Sequence, residues 1–397
     1  MNDLFTVFLR TPHPRHIMKN SLLIPCLALL LSGCTSTPSD KNLTLSELDP
    51  IRFEKTIDDT KSTKLYTLKN SNGMEVCITN FGARIVSIMV PDKNGNMTDV
   101  VLGFDNIDDY IQIPTDFGAT IGRYANRIGQ GKITIDGEEI QLPQNNYGHC
   151  LHGGPTGWQN QVFKANQKDD KTIILTIESP DGDNNFPGNV IANVTYTLTD
   201  DNAIDIKYDA TTDKQTVINM TNHSYFNLNG DPSISSMNQI LYLAADSITP
   251  VDDTFMTNGE MMAIASTPFD FNTPKAIEID VNNFDNEQIK FGKGFDHNWV
   301  LNTHGDINQV AAQLTSPITG ITLEVYTDEP GIQLYTGNFL DGTVKGKKGI
   351  IYPQRASVCL ETQHYPDSPN KKHWPTVILE PGKTYTSHCI FKFGIAK

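Results

Sequence analysis

The sequence predicts an all-β protein, one large antiparallel β-sandwich, on three observations. Apolar side chains recur at every second position through most of the chain, the period of a strand with one buried face. Turn signals break these runs into strand-sized pieces, and only "NIDDYIQ" (106–112) reads as a helical turn or two. No repeat of roughly 20 to 50 residues is visible, which removes the blade periodicity expected of the alternative, a propeller.

Taken in order, the elements begin with a leader. "MKNSLLIPCLALLLSGC" (18–34) has a lysine, a short apolar stretch and small residues before a cysteine, the pattern of a secretory signal too short to span a membrane. Residues 1–33 are therefore expected to be removed, with Met18 as the start of translation and residues 1–17 an upstream extension. Leu-Ser-Gly directly before Cys34 resembles a bacterial lipoprotein signal, which implies lipidation at Cys34. Residues 34–55, rich in Ser, Thr and Pro at their start, read as a flexible tether, and 56–397 as one domain.

Within that domain, "VIANVTYTLT" puts Val190, Ala192, Val194, Tyr196 and Leu198 on one face. "KITIDGEEIQL" reads as a hairpin closed by Asp136-Gly137. "KTIILTI", "NAIDIKY" and "GITLEVYT" continue the alternation.

Counted from Cys34 on, 28 Lys and Arg stand against 45 Asp and Glu, a net of −17. That surface argues against nucleic acid, against electrostatic attachment to anionic lipid and against a phosphorylated substrate. Any membrane contact would come through lipid on Cys34. Cys77, Cys150, Cys359 and Cys389 show no CxxC spacing, and three of them sit in apolar runs, so buried free thiols are expected.

Six stretches hold more polar and aromatic residues than a sheet surface needs: 122–129, 149–154, 219–230, 295–301, 331–342 and 359–370. The third, "NMTNHSYFNLNG", packs four asparagines around one histidine, His223, and polar groups taken out of water must find partners. In "ASVCLETQHY", Val358 and Leu360 face one way while Cys359 and Glu361 face the other. A free Glu titrates near about 4.3 and a free His near about 6.5. Glu361 is thus expected as a base near neutral pH, and His223, with a modest upward push, as an acid. Asn126, Arg127, Asp296 and Gln333 suit a hydroxyl-rich ligand, with aromatic neighbours for the apolar faces of a sugar. His149, His152, His223 and His364 do not form the H-x-x-x-H helix of a zinc site, and no metal is expected. "HGG" has the look of a lipase oxyanion loop, but no G-x-S-x-G elbow accompanies it.

These motifs resemble the aldose 1-epimerase (galactose mutarotase) family. The elements arrive in family order from about Leu65 onward: "NFGARIVSIMVPDKNG", "GRYANRIGQGKITIDG", "LHGGPTGWQNQVF", "TNHSYFNL", "FDHNWVL", "GIQLYTGNFLDG" and "CLETQHYPDSPN". The resemblance implies a supersandwich with the sugar in an open cleft, and interconversion of the anomers of free hexoses such as galactose and glucose. It implies Glu361 as general base, His223 as general acid, His152 as an assisting hydrogen-bonder, and Asn126, Arg127, Asp296 and Gln333 as ligands of sugar hydroxyls. No cofactor is expected, and the chain is expected as a monomer or weak dimer. Asn222 and Asn227 are expected to hold the loop that aims His223. The leader departs from the better-known cytoplasmic members. Two rival readings remain, a surface sugar-binding protein without turnover and a hexose-phosphate epimerase; loss of Glu361 or His223 would mark the first and a basic cluster the second, and neither mark is present.

Overall fold

The computed structural model describes residues 43–396, so the leader and Cys34 lie outside the described residues. The largest element is a nine-stranded sheet in the order Lys164–Gln167, Thr172–Ser179, Val190–Leu198, Ala203–Thr212, Thr384–Ile395, Ile321–Thr327, Ala312–Thr315, Ile240–Leu243 and Lys275–Ala276. Every pairing in it is antiparallel. A five-stranded sheet (Met262–Ala263, Ala245–Thr249, Asp296–Leu301, Gly331–Tyr335, Cys359–Gln363) and a four-stranded one (Leu65–Lys69, Glu75–Thr79, Arg84–Pro91, Met97–Asp99) complete the layers.

One continuous core joins all three sheets. Val194 and Tyr196 of the first, Trp299 and Leu334 of the second, and Ile78 and Ile85 of the third belong to it. The alternation from Val190 to Leu198 is realised as expected, every second residue buried. Truncating a residue such as Trp299, which is fully buried, would cost about 3–5 kcal/mol. The Asp136-Gly137 turn has φ of 51° and 85°, the pair of left-handed residues that closes a two-residue hairpin.

The expected helix is Ile107–Gln112, capped by the side chain of Asn106 on the amide of Asp109 at 2.9 Å. A second helix, Glu287–Gly292, corrects the reading that found only one. It is six residues long, too short for a 3.6-residue period to show, and is held by its Asn286 cap and a left-handed Lys293. The tether reading also needs correction in its second half. Leu48 and Phe53 are buried, Ser46 donates to Ser87 at 2.9 Å, and residues 50–53 form a 3-10 turn, so folded structure begins by residue 44. Cys77, Cys150, Cys359 and Cys389 are buried free thiols, and burial pushes the first up to about 11. Among the described residues no helix is long and apolar enough to cross a membrane.

Candidate active site

The floor of the site is the five-stranded sheet. Its register puts Asn298 beside Gln333 and Gln333 beside Glu361, with Asp296 beside Tyr335 and Tyr335 beside Cys359. Because side chains alternate, Trp299, Ile332, Leu334 and Leu360 enter the core while the polar set gathers on the opposite face. Gln333 Nε2 donates to Asp296 Oδ1 at 2.7 Å. Glu361 Oε2 and Gln333 Oε1 are buried with no protein partner, the signature of groups kept for something else.

One wall carries His223. Its short strand, Thr221–His223, pairs with Ala119–Ile121. Asn222 Nδ2 donates to the carbonyl of Gly118 at 3.1 Å, and its Oδ1 accepts the amide of Ser224. Asn227 Nδ2 reaches the carbonyls of Ile234 and Ala356, so the two amides hold both sides of the histidine loop as expected. Gly118 is required at its place: φ is +67°, and a Cβ would sit 1.8 Å from the Ile85 carbonyl. Arg84, fully buried, spans the same turn by donating to the carbonyls of Thr115, Phe117 and Gln159. The imidazole so placed stacks on Tyr225 at 5.0 Å and brings Nε2 to 3.5 Å from Glu361 Oε1.

The other wall is Asn126, Arg127 and His152. The amides of Asn126 and His152 point at each other's residues: Asn126 N donates to His152 Nδ1 at 3.1 Å, and His152 N to the Asn126 carbonyl at 3.0 Å. Since Nδ1 accepts, the ring proton of neutral His152 is on Nε2. Its ring meets that of His223 edge-on at 5.4 Å. Asn126 Oδ1 takes the amide of Arg127, leaving Nδ2 as its outward donor. Arg127 binds Asn146 Oδ1 through Nε and Nη2 and lies 4.8 Å over the ring of Phe255.

Burial dominates the electrostatics. It raises Glu361 well above the carboxylate range, helped by Asp296 and Asp116 and opposed by Arg127. It lowers His223, with Asp116 pulling the other way, and holds His152 down at about 3. Both directions run against the ordinary values of the two groups in water. Taking both groups out of water favours their neutral forms, the carboxylic acid and the neutral imidazole. Asp296 is likewise raised by burial against the pull of Arg127.

The seven expected residues within the described region thus converge on one site. His149 instead bonds the amide of Gln130 and the hydroxyl of Thr254, and His364 pairs with Glu329 at 2.6 Å. Asp116 was not singled out from the sequence. One donor atom from each of Asp116, His152 and His223 lies within 4.8 Å of the others, a trio that a divalent ion could share. The only sequence signal for it was a lone carboxylate in "TDFGAT", ahead of the strand that pairs with His223.

Residues 64–392 match the family model described as aldose 1-epimerase. The chain is 39% identical to galactose mutarotase of Homo sapiens over 82% of its own length and 93% of that protein. It is 38% identical to aldose 1-epimerase of Escherichia coli K12, over 84% and 96% respectively. Among solved structures, galactose 1-epimerase from Lactobacillus acidophilus aligns with a TM-score of 0.76 at 30% identity, over 87% of this chain and 98% of that one. An aldose epimerase homologue from C. elegans gives a TM-score of 0.79 at 31%, over 84% and 100%.

Proposed function

The chain belongs to the aldose 1-epimerase family and interconverts the α and β anomers of aldoses, and from that premise we propose that Glu361 and His223 move the protons. The observation that carries this reading is the 3.5 Å separation of His223 Nε2 and Glu361 Oε1 inside a buried polar site. In a cyclic aldose the anomeric hydroxyl and the ring oxygen hang from one carbon. An acid and a base that address both must therefore stand side by side.

Ring opening starts from the Glu361 carboxylate and the His223 imidazolium. Glu361 takes the proton of the C1 hydroxyl, His223 delivers one to the ring oxygen, the C1–O5 bond breaks and C1 becomes an aldehyde. The pair is left as carboxylic acid and neutral imidazole, the form that burial favours. Rotation about C1–C2 presents the other carbonyl face, and the reverse transfers close the ring. The two singly protonated forms differ only by one proton moved between the partners, so each turnover restores the starting state. His152 supplies a neutral N–H to an oxygen near the reacting centre. Arg127, Asn126, Asp296 and Gln333 hold the remaining hydroxyls, and galactose and glucose are the hexoses proposed. Polarimetry on freshly dissolved α-D-galactose and α-D-glucose tests this: relaxation well above the buffer rate is expected, and the buffer rate on both sugars would overturn it.

The location is part of the proposal. Cys34 after Leu-Ser-Gly supports a chain exported and held by acyl groups at a bacterial membrane, facing the periplasm or the exterior. There it would equilibrate the single anomer that glycosidases release. Metabolic labelling with an alkynyl fatty acid should tag the full chain and not its Cys34→Ser variant; equal labelling of both would refute it.

A further inference from the structure

Of the asparagines in residues 219–230, Asn222 and Asn227 hold the histidine loop, whereas Asn219 reaches across the site. It is fully buried, four residues before His223, and its side chain bonds the backbone just beyond Glu361. Oδ1 accepts the amide of His364 at 3.0 Å, and Nδ2 donates to the carbonyl of the same residue at 3.3 Å. Nδ2 also donates to the Ala125 carbonyl at 3.3 Å, in the segment that leads into Asn126 and Arg127. One residue therefore joins the floor of the site to both of its walls.

The strands that carry the acid and the base belong to different sheets. Thr221–His223 pairs with Ala119–Ile121 and Cys359–Gln363 with Gly331–Tyr335, and among the described residues no ladder joins the two strands to each other. At one end the main chain closes the gap. Phe226 and Val358 exchange hydrogen bonds at 2.8 Å each way, three residues from His223 and from Glu361. At the other end the Asn219 carboxamide plays that part, offering His364 one donor and one acceptor as a main-chain partner would. His223 and Glu361 lie between the two ties, where their side chains meet.

His364 is itself anchored. Its Nδ1 bonds Glu329 at 2.6 Å, and Tyr385 donates to Glu329 Oε1 at 3.5 Å. The Tyr385 hydroxyl in turn accepts the amide of Met220, the residue after Asn219, at 3.1 Å. These bonds close a ring around the Asn219–His364 tie.

Resting on the reading of Glu361 and His223 as the proton carriers, we infer that Asn219 is a positioning residue whose carboxamide sets the distance between acid and base. With no exposed surface, it acts through the strands it ties and not on the sugar. A misplacement of about 1 Å in a reacting pair costs on the order of 100-fold in rate. The sugar-binding wall depends on this side chain less. Ala125 N donates to the Asn219 carbonyl at 2.8 Å and Asn219 N to the Arg123 carbonyl at 3.1 Å, main-chain bonds that a side-chain substitution leaves in place. Loss of the carboxamide should thus strike turnover and spare binding.

Polarimetry on α-D-galactose gives kcat and KM for the wild type, Asn219→Leu, Asn219→Asp and a control, Asn70→Leu. Asn70 is likewise buried and bridges backbone groups, the Met74 amide at 2.9 Å and the Thr199 carbonyl at 2.8 Å, in a turn that carries no site residue. Asn219→Leu should lower kcat roughly 10- to 100-fold with KM within about threefold, while Asn70→Leu lowers the melting temperature and leaves kcat within about twofold. Asn219→Asp keeps the acceptor for the His364 amide and should fall between the wild type and Asn219→Leu. A kcat within about twofold of wild type in Asn219→Leu, a rise in KM in place of the fall in kcat, or equal kcat losses in Asn219→Leu and Asn70→Leu would overturn the inference. The acid–base reading would survive any of these, since it stands on Glu361→Gln and His223→Gln. If Asn219→Leu does not fold, Asn219→Asp decides: a kcat loss of about threefold or more at unchanged KM supports the tie, and wild-type kcat contradicts it. Wild-type turnover in both Glu361→Gln and His223→Gln would remove the acid–base reading and this inference with it.

Discussion

His223 Nε2 lies 3.5 Å from Glu361 Oε1, with the two side chains only 6% and 2% exposed. No strand contains both. One reaches the site from a short strand paired with Ala119–Ile121, the other from the edge of the five-stranded sheet. So close a buried acid–base pair titrates as a unit, and its proton position is set by surroundings rather than by the ordinary values of either group.

The first prediction concerns that position. Burial lowers His223 and raises Glu361, so at pH 7 the imidazole of His223 is expected to be neutral. Side-chain nitrogen chemical shifts of selectively labelled protein check this. Shifts typical of an imidazolium would show that the pair rests as an ion pair.

Asp116 supplies a second. Its charge is the first influence opposing the burial penalty on both His223 and His152. Asp116→Asn should therefore lower kcat about tenfold with a smaller change in KM, and shift the alkaline limb of the pH–rate profile, where the His223 proton is lost, downward. Asp116→Glu should restore part of the rate. An unchanged profile would remove Asp116 from the account.

How much of this was legible in the sequence differs by part. Alternation at Val190–Leu198 and at Cys359–Gln363 announced strands and their faces, because period two is a local property. Motif order brought seven site residues forward. Asp116 stayed hidden because its role depends on a strand pairing, His223 with Ala119, that no local pattern encodes. The upward shift of Glu361 was hidden for a related reason: burial is a property of the assembled cleft, and the reference values belong to groups in water. The helix at Glu287–Gly292 and the packing of Leu48 and Phe53 were missed because each segment is short and its partners are distant.

Stability should depend on pH through the buried histidines. His297 and His152 are both held down at about 3, whereas an unfolded histidine takes its proton near about 6.5. Their contribution is complete above that value and is lost as pH falls below it, at up to about 1.4 kcal/mol per pH unit for each. His364, raised by Glu329, works in the opposite sense, adding stability at low pH that is lost as pH rises through its folded value. Thermal melts at pH 7.5 and 5.0 should show a lower Tm in acid, with a shallower fall in His297→Asn. A higher Tm at pH 5.0 would contradict the assignment.

Arg84 yields a prediction about folding rather than chemistry. It donates to three carbonyls, two of them in buried bonds, that anchor the turn below His223. Arg84→Met strands them and should destabilise the protein by about 3 kcal/mol or more. Urea unfolding reads this as a lower midpoint at unchanged slope; a change within about 0.5 kcal/mol would mean that the carbonyls find other partners.

The most direct test of the proton-sharing pair is polarimetric relaxation of α-D-galactose with the wild type, Glu361→Gln and His223→Gln, each verified as folded by its melting curve. A loss of roughly 100- to 10,000-fold in kcat for both variants, with galactose still bound, is the result predicted. Either variant retaining wild-type kcat would show that the 3.5 Å pair does not carry the reaction.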